Sequence, residues 1–198
     1  MPVVGVLSYQ GGFGKHLERL EEIGVESRAV RDLESLAAVD ALIIPGGEST
    51  TIGMLMERFG LLEGVRRRIE DGFPVFGTCA GAILLADEIE GSDQPRIGGI
   101  AMTVRRNAYG RQIESFEADV RSADPGSAAS AIGERFHGVF IRAPQILSVD
   151  SGVEVVLVYE EQPVLVRSAN LLAATFHPEL TGDTRIHRFF LEEVAALV

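Results

Sequence analysis

Short apolar runs alternate with stretches of helical periodicity from Val3 onward, and a chain built that way has few architectures open to it. Val3–Leu7 reads as a buried strand. Phe13, Leu17, Leu20 and Ile23 then recur at helical spacing up to Gly24, a natural helix stop. Val25–Val30 and Ala41–Ile44 read as the next strands, the second ending at Pro45-Gly46-Gly47. Ile52, Leu55, Met56 and Phe59 mark a helix, residues 63–69 another, and Phe73–Phe76 a strand that runs into a helical stretch at 82–86. This series predicts an α/β fold: a three-layer, open, mostly parallel sheet with flanking helices, flavodoxin-like. From Gly98 to Val166 the helices drop out, and 101–105, 114–120, 138–141, 153–159 and 164–167 read as strands of an antiparallel or mixed excursion. Leu171–Phe176 is the return strand, and Ile186, Phe189, Phe190, Val194 and Leu197 stripe a closing helix. Residues 90–96 and 122–133 read as flexible loops.

At 198 residues the chain suits one domain, 1–198, and its 46% apolar content suits a packed core. No apolar run approaches the roughly 18–20 residues of a membrane span. The first residues have neither a basic segment nor a cleavage site, so they read as a strand, not a signal peptide. A net charge of −11 argues against nucleic acid and against an anionic membrane as partners. The single cysteine cannot form an internal disulfide, which fits a reducing, cytoplasmic compartment.

That cysteine, Cys79, sits in Gly77-Thr78-Cys79-Ala80-Gly81, between an apolar strand and a helix. This is the layout of a nucleophile elbow, with Cys in the place of Ser. Glycines on both sides allow a turn too tight for a Cβ, and a helix N-terminus favours the reactive thiolate. A lone cysteine is more often a small buried hydrophobe. The two glycines and the strand–turn–helix setting shift the balance toward a nucleophile.

A cysteine nucleophile needs a base, and the base an orienting group. Of four histidines, His16 has polar neighbours that suggest a solvated helix face, His187 lies in the closing helix, and His137 precedes a strand, as a structural histidine would. His177 directly follows the return strand, at a carboxyl end like Cys79, where open parallel sheets gather their sites. Pro178 favours extended backbone, which would turn Glu179 to the same side as His177 to hold its tautomer. Pro45–Thr51 is a Gly-rich strand-to-helix turn whose backbone N–H groups can face a ligand. It lacks the Lys-bearing end of a phosphate-binding Walker loop. Arg105–Gln112 is dense in hydrogen-bonding groups, and arginine suits a carboxylate.

Pro45-Gly46-Gly47-Glu48-Ser49-Thr50-Thr51, Gly77–Gly81, Arg106–Gln112, Phe136–Pro144 and Phe176–Thr181 together resemble the class I (triad) glutamine amidotransferases. Within that class they resemble the glutaminase subunits of pyridoxal 5'-phosphate synthase. The resemblance implies hydrolysis of L-glutamine to glutamate and ammonia through a thioester, with no cofactor and no metal. The ammonia would go to a synthase subunit within a large hetero-oligomer. It implies Cys79 as nucleophile, His177 as base and acid, and Glu179 as its orienter. Gly47, Glu48, Ser49, Arg106, Ile141 and Arg142 would bind glutamine, and backbone N–H groups at Gly47 and Ala80 would hold the oxyanion. Gln10 matches a residue near the oxyanion region and the subunit interface. Two other readings stay open: a γ-glutamyl hydrolase-like enzyme on the same fold, disfavoured by Ala80 where a His would follow the Cys, and an inactive partner-binding scaffold, opposed by the complete Cys79, His177, Glu179 set.

Overall fold

The computed structural model describes residues 2–106, 115–124 and 128–197. Strands and helices alternate as β1 (Val3–Leu7), α1 (Phe13–Ile23), β2 (Glu26–Val30), α2 (Leu33–Ala37), β3 (Ala41–Ile44), α3 (Ser49–Arg58), α4 (Leu61–Glu70), β4 (Val75–Thr78) and α5 (Ala80–Leu85). Then come β5 (Ala86–Ile89), β6 (Ile100–Arg105), β7 (Ser115–Ser122), β8 (Arg135–Ile141), β9 (Gln145–Val149), β10 (Glu154–Tyr159), β11 (Gln162–Ser168), β12 (Leu171–Ala174) and α6 (Arg185–Phe189). A π-helical turn, Phe190–Val194, extends α6. Among the described residues no helix is long and apolar enough to cross a membrane.

The main sheet has the order β2-β1-β3-β4-β12-β11-β10-β7-β8. Its first five strands are parallel and the rest antiparallel. Along β3 the side chains alternate between two cores: Leu42 and Ile44 pack on one face, with α2–α5, and Ala41 and Ile43 on the other, with α1 and α6. Because both faces are covered, the central strands are almost wholly apolar, Thr78 at the end of β4 excepted, as buried parallel sheets require. The α/β reading of the sequence and its antiparallel excursion both hold.

Three elements escaped the sequence pattern. α2 is only five residues long and is nucleated by a capping box between Asp32 and Ser35. β5 and β9 flank β6 in a separate three-stranded sheet, so the excursion forms strands of two sheets. The run at 82–86 accordingly divides, with Ala86 opening β5. Of the two expected loops, 90–96 is tied down: Gln94 is buried and the Arg66 side chain donates to the carbonyls of Arg96 and Ile97. In the other, Ala128–Ala131 forms a 3-10 turn, while 125–127 lie outside the described residues, as do Asn107–Gln112 and the expected strand start at Glu114.

Only Leu157 and Val158 of β10 pair with β7. The β7–β8 ribbon is therefore free to veer from the sheet edge back over the end of β12, where His177 N–H donates to the Val139 carbonyl at 2.8 Å. Phe140 packs on Phe176 at a ring separation of 5.7 Å in the same place. This detour delivers Ile141 and Arg142 to the carboxyl ends of the parallel strands.

Candidate active site

Four neighbouring strands, β1, β3, β4 and β12, end at one cleft of about 330 Å³. Gly11 and Gly12 follow β1, Gly46 and Gly47 follow β3, Cys79 follows β4 and His177 follows β12. The strand order reverses beside β1, whose crossovers leave to β2 on one side and β3 on the other, and open α/β sheets bind ligands at such a point.

Cys79 sits between β4 and α5 with φ = 48° and ψ = −100°, a conformation sparsely populated by residues with a Cβ. Its N–H is fixed by the Ala174 carbonyl at 2.8 Å. The flanking glycines are sterically required: a Cβ on Gly77 would lie 2.4 Å from the backbone of Gly81, and one on Gly81 would lie 2.1 Å from the Ile44 carbonyl oxygen. Replacing either by alanine would push α5 off the sheet. The sulfur reaches the Ile141 carbonyl at 3.8 Å. Gly46 packs so closely on His177 and Cys79 that a Cβ there would meet His177 Cε1 at 2.4 Å.

His177 Nδ1 lies 2.8 Å from Glu179 Oε1, and Glu179 is almost wholly buried, 2% exposed. The route to that contact differs from the extended one expected: residues 178–180 form a 3-10 turn, which proline at its first position favours. Burial pulls the His177 pKa down, but the neighbouring Cys79 and the Glu179 carboxylate outweigh it and raise it to about 10. Burial works to raise the Glu179 carboxyl. The imidazole of His16, the hydrogen bond and charge of His177 and the backbone N–H of Glu179 itself hold it below the ordinary value.

Opposite the triad, Glu48 caps α3, accepting from Thr51 N at 2.8 Å, Thr51 Oγ1 at 2.9 Å and Thr50 N at 3.4 Å. Burial opposes its charge, but those bonds and Arg106 hold its pKa down. Arg106 reaches Glu48 at 3.3 Å and Thr50 Oγ1 at 2.9 Å. Its other partner, Gln94, also accepts from Ser49 Oγ at 3.2 Å and Thr50 Oγ1 at 3.1 Å, so one buried carbonyl gathers three donors. The Gln10 side chain accepts from Glu48 N at 3.0 Å, fixing the peptide that follows Gly47. Arg142 closes the rim in a left-handed conformation, φ = 44°.

Of the sequence candidates, Gly47, Glu48, Ser49, Cys79, Arg106, Ile141, Arg142, His177 and Glu179 all line the cleft. Ala80 lies behind it as the first residue of α5, with a first-turn N–H that a helix leaves without an intrahelical partner. Gln10 is exposed at the rim and acts on the cleft through the Glu48 peptide.

Two histidine assignments need correcting. His16 is not on a solvated face; it is fully buried against Thr78, His187 and Glu179. Its polar neighbours misled, but its spacing from Phe13 and Leu20 places it in the apolar stripe of α1. His137 lies within β8 and is exposed, paired with Glu117 and Asp119 on β7. Gln94 was missed altogether, since nothing local marks a buried glutamine in a polar loop.

Comparison with known proteins identifies the family and the fold. The profile of the SNO glutamine amidotransferase family matches residues 6–196. A Thermus thermophilus protein named pyridoxal 5'-phosphate synthase subunit PdxT is 53% identical over 192 residues, 96% of each chain. A Carboxydothermus hydrogenoformans protein of the same name is 50% identical over 191 residues, 96% of this chain and 97% of that one. A crystal structure of a glutamine amidotransferase, 50% identical, superposes with a TM-score of 0.90 over 98% of this chain and 99% of its own. The structure of PurLQS from Thermotoga maritima, at 19% identity and a TM-score of 0.74, shares the fold.

Proposed function

The chain belongs to the SNO glutamine amidotransferase family, and from that premise we propose how its residues carry out the reaction. It is the glutaminase component of pyridoxal 5'-phosphate synthase: it hydrolyses L-glutamine to glutamate and ammonia for a synthase subunit. The observation that carries the residue assignment is the Cys79–His177–Glu179 set at the floor of the cleft, with its 2.8 Å His177–Glu179 contact.

Cys79 gives its proton to His177, and the sulfur attacks the side-chain amide carbon of glutamine. The carbonyl π electrons move onto oxygen, where N–H groups at Gly47 and Ala80 stabilise them, a role typically worth about 3–4 kcal/mol per donor. As the C–N bond breaks, His177 passes its proton to the departing nitrogen, leaving ammonia and a thioester. Water then attacks the thioester with His177 as base, releasing glutamate and restoring the thiol. Glu179 holds the imidazole with Nδ1–H toward itself, so Nε2 faces the chemistry. Arg106 and Arg142, with Glu48 and Ser49, anchor the amino-acid end of the substrate, and Ile141 supplies backbone contact on the other side.

Ammonia handed to a second active site without loss implies a lasting assembly, so we place the chain in a large hetero-oligomer with its synthase subunit. The single free thiol fits a reducing cytoplasm. The test is ammonia release from glutamine, measured with and without the synthase subunit. Wild type releases ammonia and Cys79→Ala does not; folded wild-type protein silent under both conditions would overturn the glutaminase assignment.

A further inference from the structure

A second histidine stands behind the triad. His16 of α1 is fully buried, and its Nε2 lies 3.4 Å from Glu179 Oε2 and 3.2 Å from Thr78 Oγ1, the hydroxyl next to Cys79 in sequence. Its Nδ1 lies 2.9 Å from Nε2 of His187, which is also fully buried. Glu179 Oε1 is taken by His177, while Oε2 is buried without a well-aligned bond among the described residues.

The protons in this chain can be placed. His187 Nδ1 is buried with no partner among the described residues. A buried N–H without an acceptor is rarer and costlier than a bare lone pair, so that nitrogen is the unprotonated one. The His187 proton then sits on Nε2 and is donated to His16 Nδ1, which leaves the His16 proton on Nε2, shared with Thr78 Oγ1 at 3.2 Å and 3.4 Å from Glu179 Oε2. Neutral rings suit the site. Burial lowers the His16 pKa to about 4, against the pull of Glu179, with the charge of His177 adding to the drop. Burial, with His16 and Arg19 beside it, lowers that of His187 well below its usual value.

We propose that His16, held in its Nε2–H tautomer by His187, is a positioning residue that fixes the Glu179 carboxylate from behind while His177 uses its front oxygen. The inference rests on the triad reading. The buried carboxylate then has an imidazole against each oxygen, His177 bonded to Oε1 at 2.8 Å and His16 packed 3.4 Å from Oε2, which restrains its rotation away from His177. A carboxylate tethered at one oxygen only would let the base wander from the line between Cys79 and the leaving nitrogen.

The test compares His16→Leu, which removes the donor, with His16→Gln, which returns an N–H near the Nε2 position, both assayed with the synthase subunit. Misplacing a reacting group by about 1 Å can cost on the order of 100-fold in rate. His16→Leu is expected to lose on the order of 10–100-fold in kcat with KM little changed, and His16→Gln to regain most of it. Because Cys79 is the only cysteine, its alkylation rate against pH is a second readout, expected to shift in His16→Leu and to return in His16→Gln. Nitrogen NMR of the wild-type rings needs no variant to fold: neutral His16 with the proton on Nε2 supports the clamp. A charged ring, a proton on Nδ1, or wild-type kcat and alkylation profile in folded His16→Leu overturns it. Turnover retained in Cys79→Ala would instead sink the triad reading itself.

Discussion

The two ends of the cleft are built to different standards. At the triad end the ion pair is sealed in protein: the His177 and Glu179 side chains are 12% and 1% exposed. At the anchoring end Arg106 and Glu48 stand at 29% and 43%, in reach of water and salt. A buried pair without its partner is costly, so the triad end must be complete before substrate arrives. An exposed pair contributes about 0–1 kcal/mol and exchanges partners readily. If it binds substrate as proposed, the anchoring end can therefore give up Arg106 to a substrate carboxylate at little expense.

The largest expected effect is at the sealed end. On the proposed mechanism His177→Asn removes both the base and the acid, and turnover with the synthase subunit should fall by at least the 10²–10⁴-fold typical of general acid–base catalysis. Binding to the synthase subunit, measured by co-migration in size-exclusion chromatography, should persist. Turnover within tenfold of wild type would show that the two ends are not as different as their burial indicates.

Burial also predicts opposite pH responses for the histidines at this end. The His16 pKa falls from 6.5 to about 4 on folding, so its contribution to stability is complete above pH 6.5 and lost as the pH drops toward 4. That shift corresponds to roughly 3 kcal/mol, and His187 acts in the same sense. The His177 pKa rises to about 10, so its contribution is complete below pH 6.5 and fades as the pH climbs toward 10. Thermal melts across this range should show stability falling on both sides, with a shallower acid slope in His16→Leu. An unchanged acid slope in that variant would remove His16 as its source.

What sequence could and could not disclose follows the same division. Cys79 was legible because its signal is local: the two glycines flank it within one strand–turn–helix unit, Gly77 pressed on the backbone of Gly81 and Gly81 on the end of the adjacent β3. His177 was legible because it ends a strand, and strand ends are where such sheets work. The parallel half of the sheet was likewise read from local periodicity. The buried His16–His187 pair was not, because it joins residues 171 apart in sequence through a packed interface of α1 and α6. The approach of Ile141 to Cys79 was equally hidden, since it depends on a ribbon leaving the sheet after two paired residues. Gln94 falls between these cases, in a loop whose composition indicates solvent while its carbonyl collects three buried donors.

At the anchoring end the expected losses are smaller and fall on binding. Arg106→Met keeps the side-chain stem and removes the charge. A hydrogen bond to a charged group is worth about 1.5–3 kcal/mol, so KM for glutamine should rise on the order of 10–100-fold with kcat falling far less. A fall in kcat with KM unchanged would move Arg106 out of substrate binding and into the chemistry.

Gln94 tests whether that end has any fixed framework. It does not line the cleft, but its Oε1 accepts from Arg106 and from the first two residues of α3. Gln94→Met would keep the volume and leave those donors unsatisfied, so Arg106 would still be present but less well aimed. The expected result is a rise in KM of about threefold, near the 0.5–1.5 kcal/mol net value of a single hydrogen bond, with kcat unchanged. Because Gln94 acts through Arg106, the double variant with Arg106→Met should be no worse than Arg106→Met alone, the coupling expected of residues that share one network. Fully additive losses would mean that Gln94 supports the cleft by another route, and that the anchoring end is as loosely held as its exposure implies.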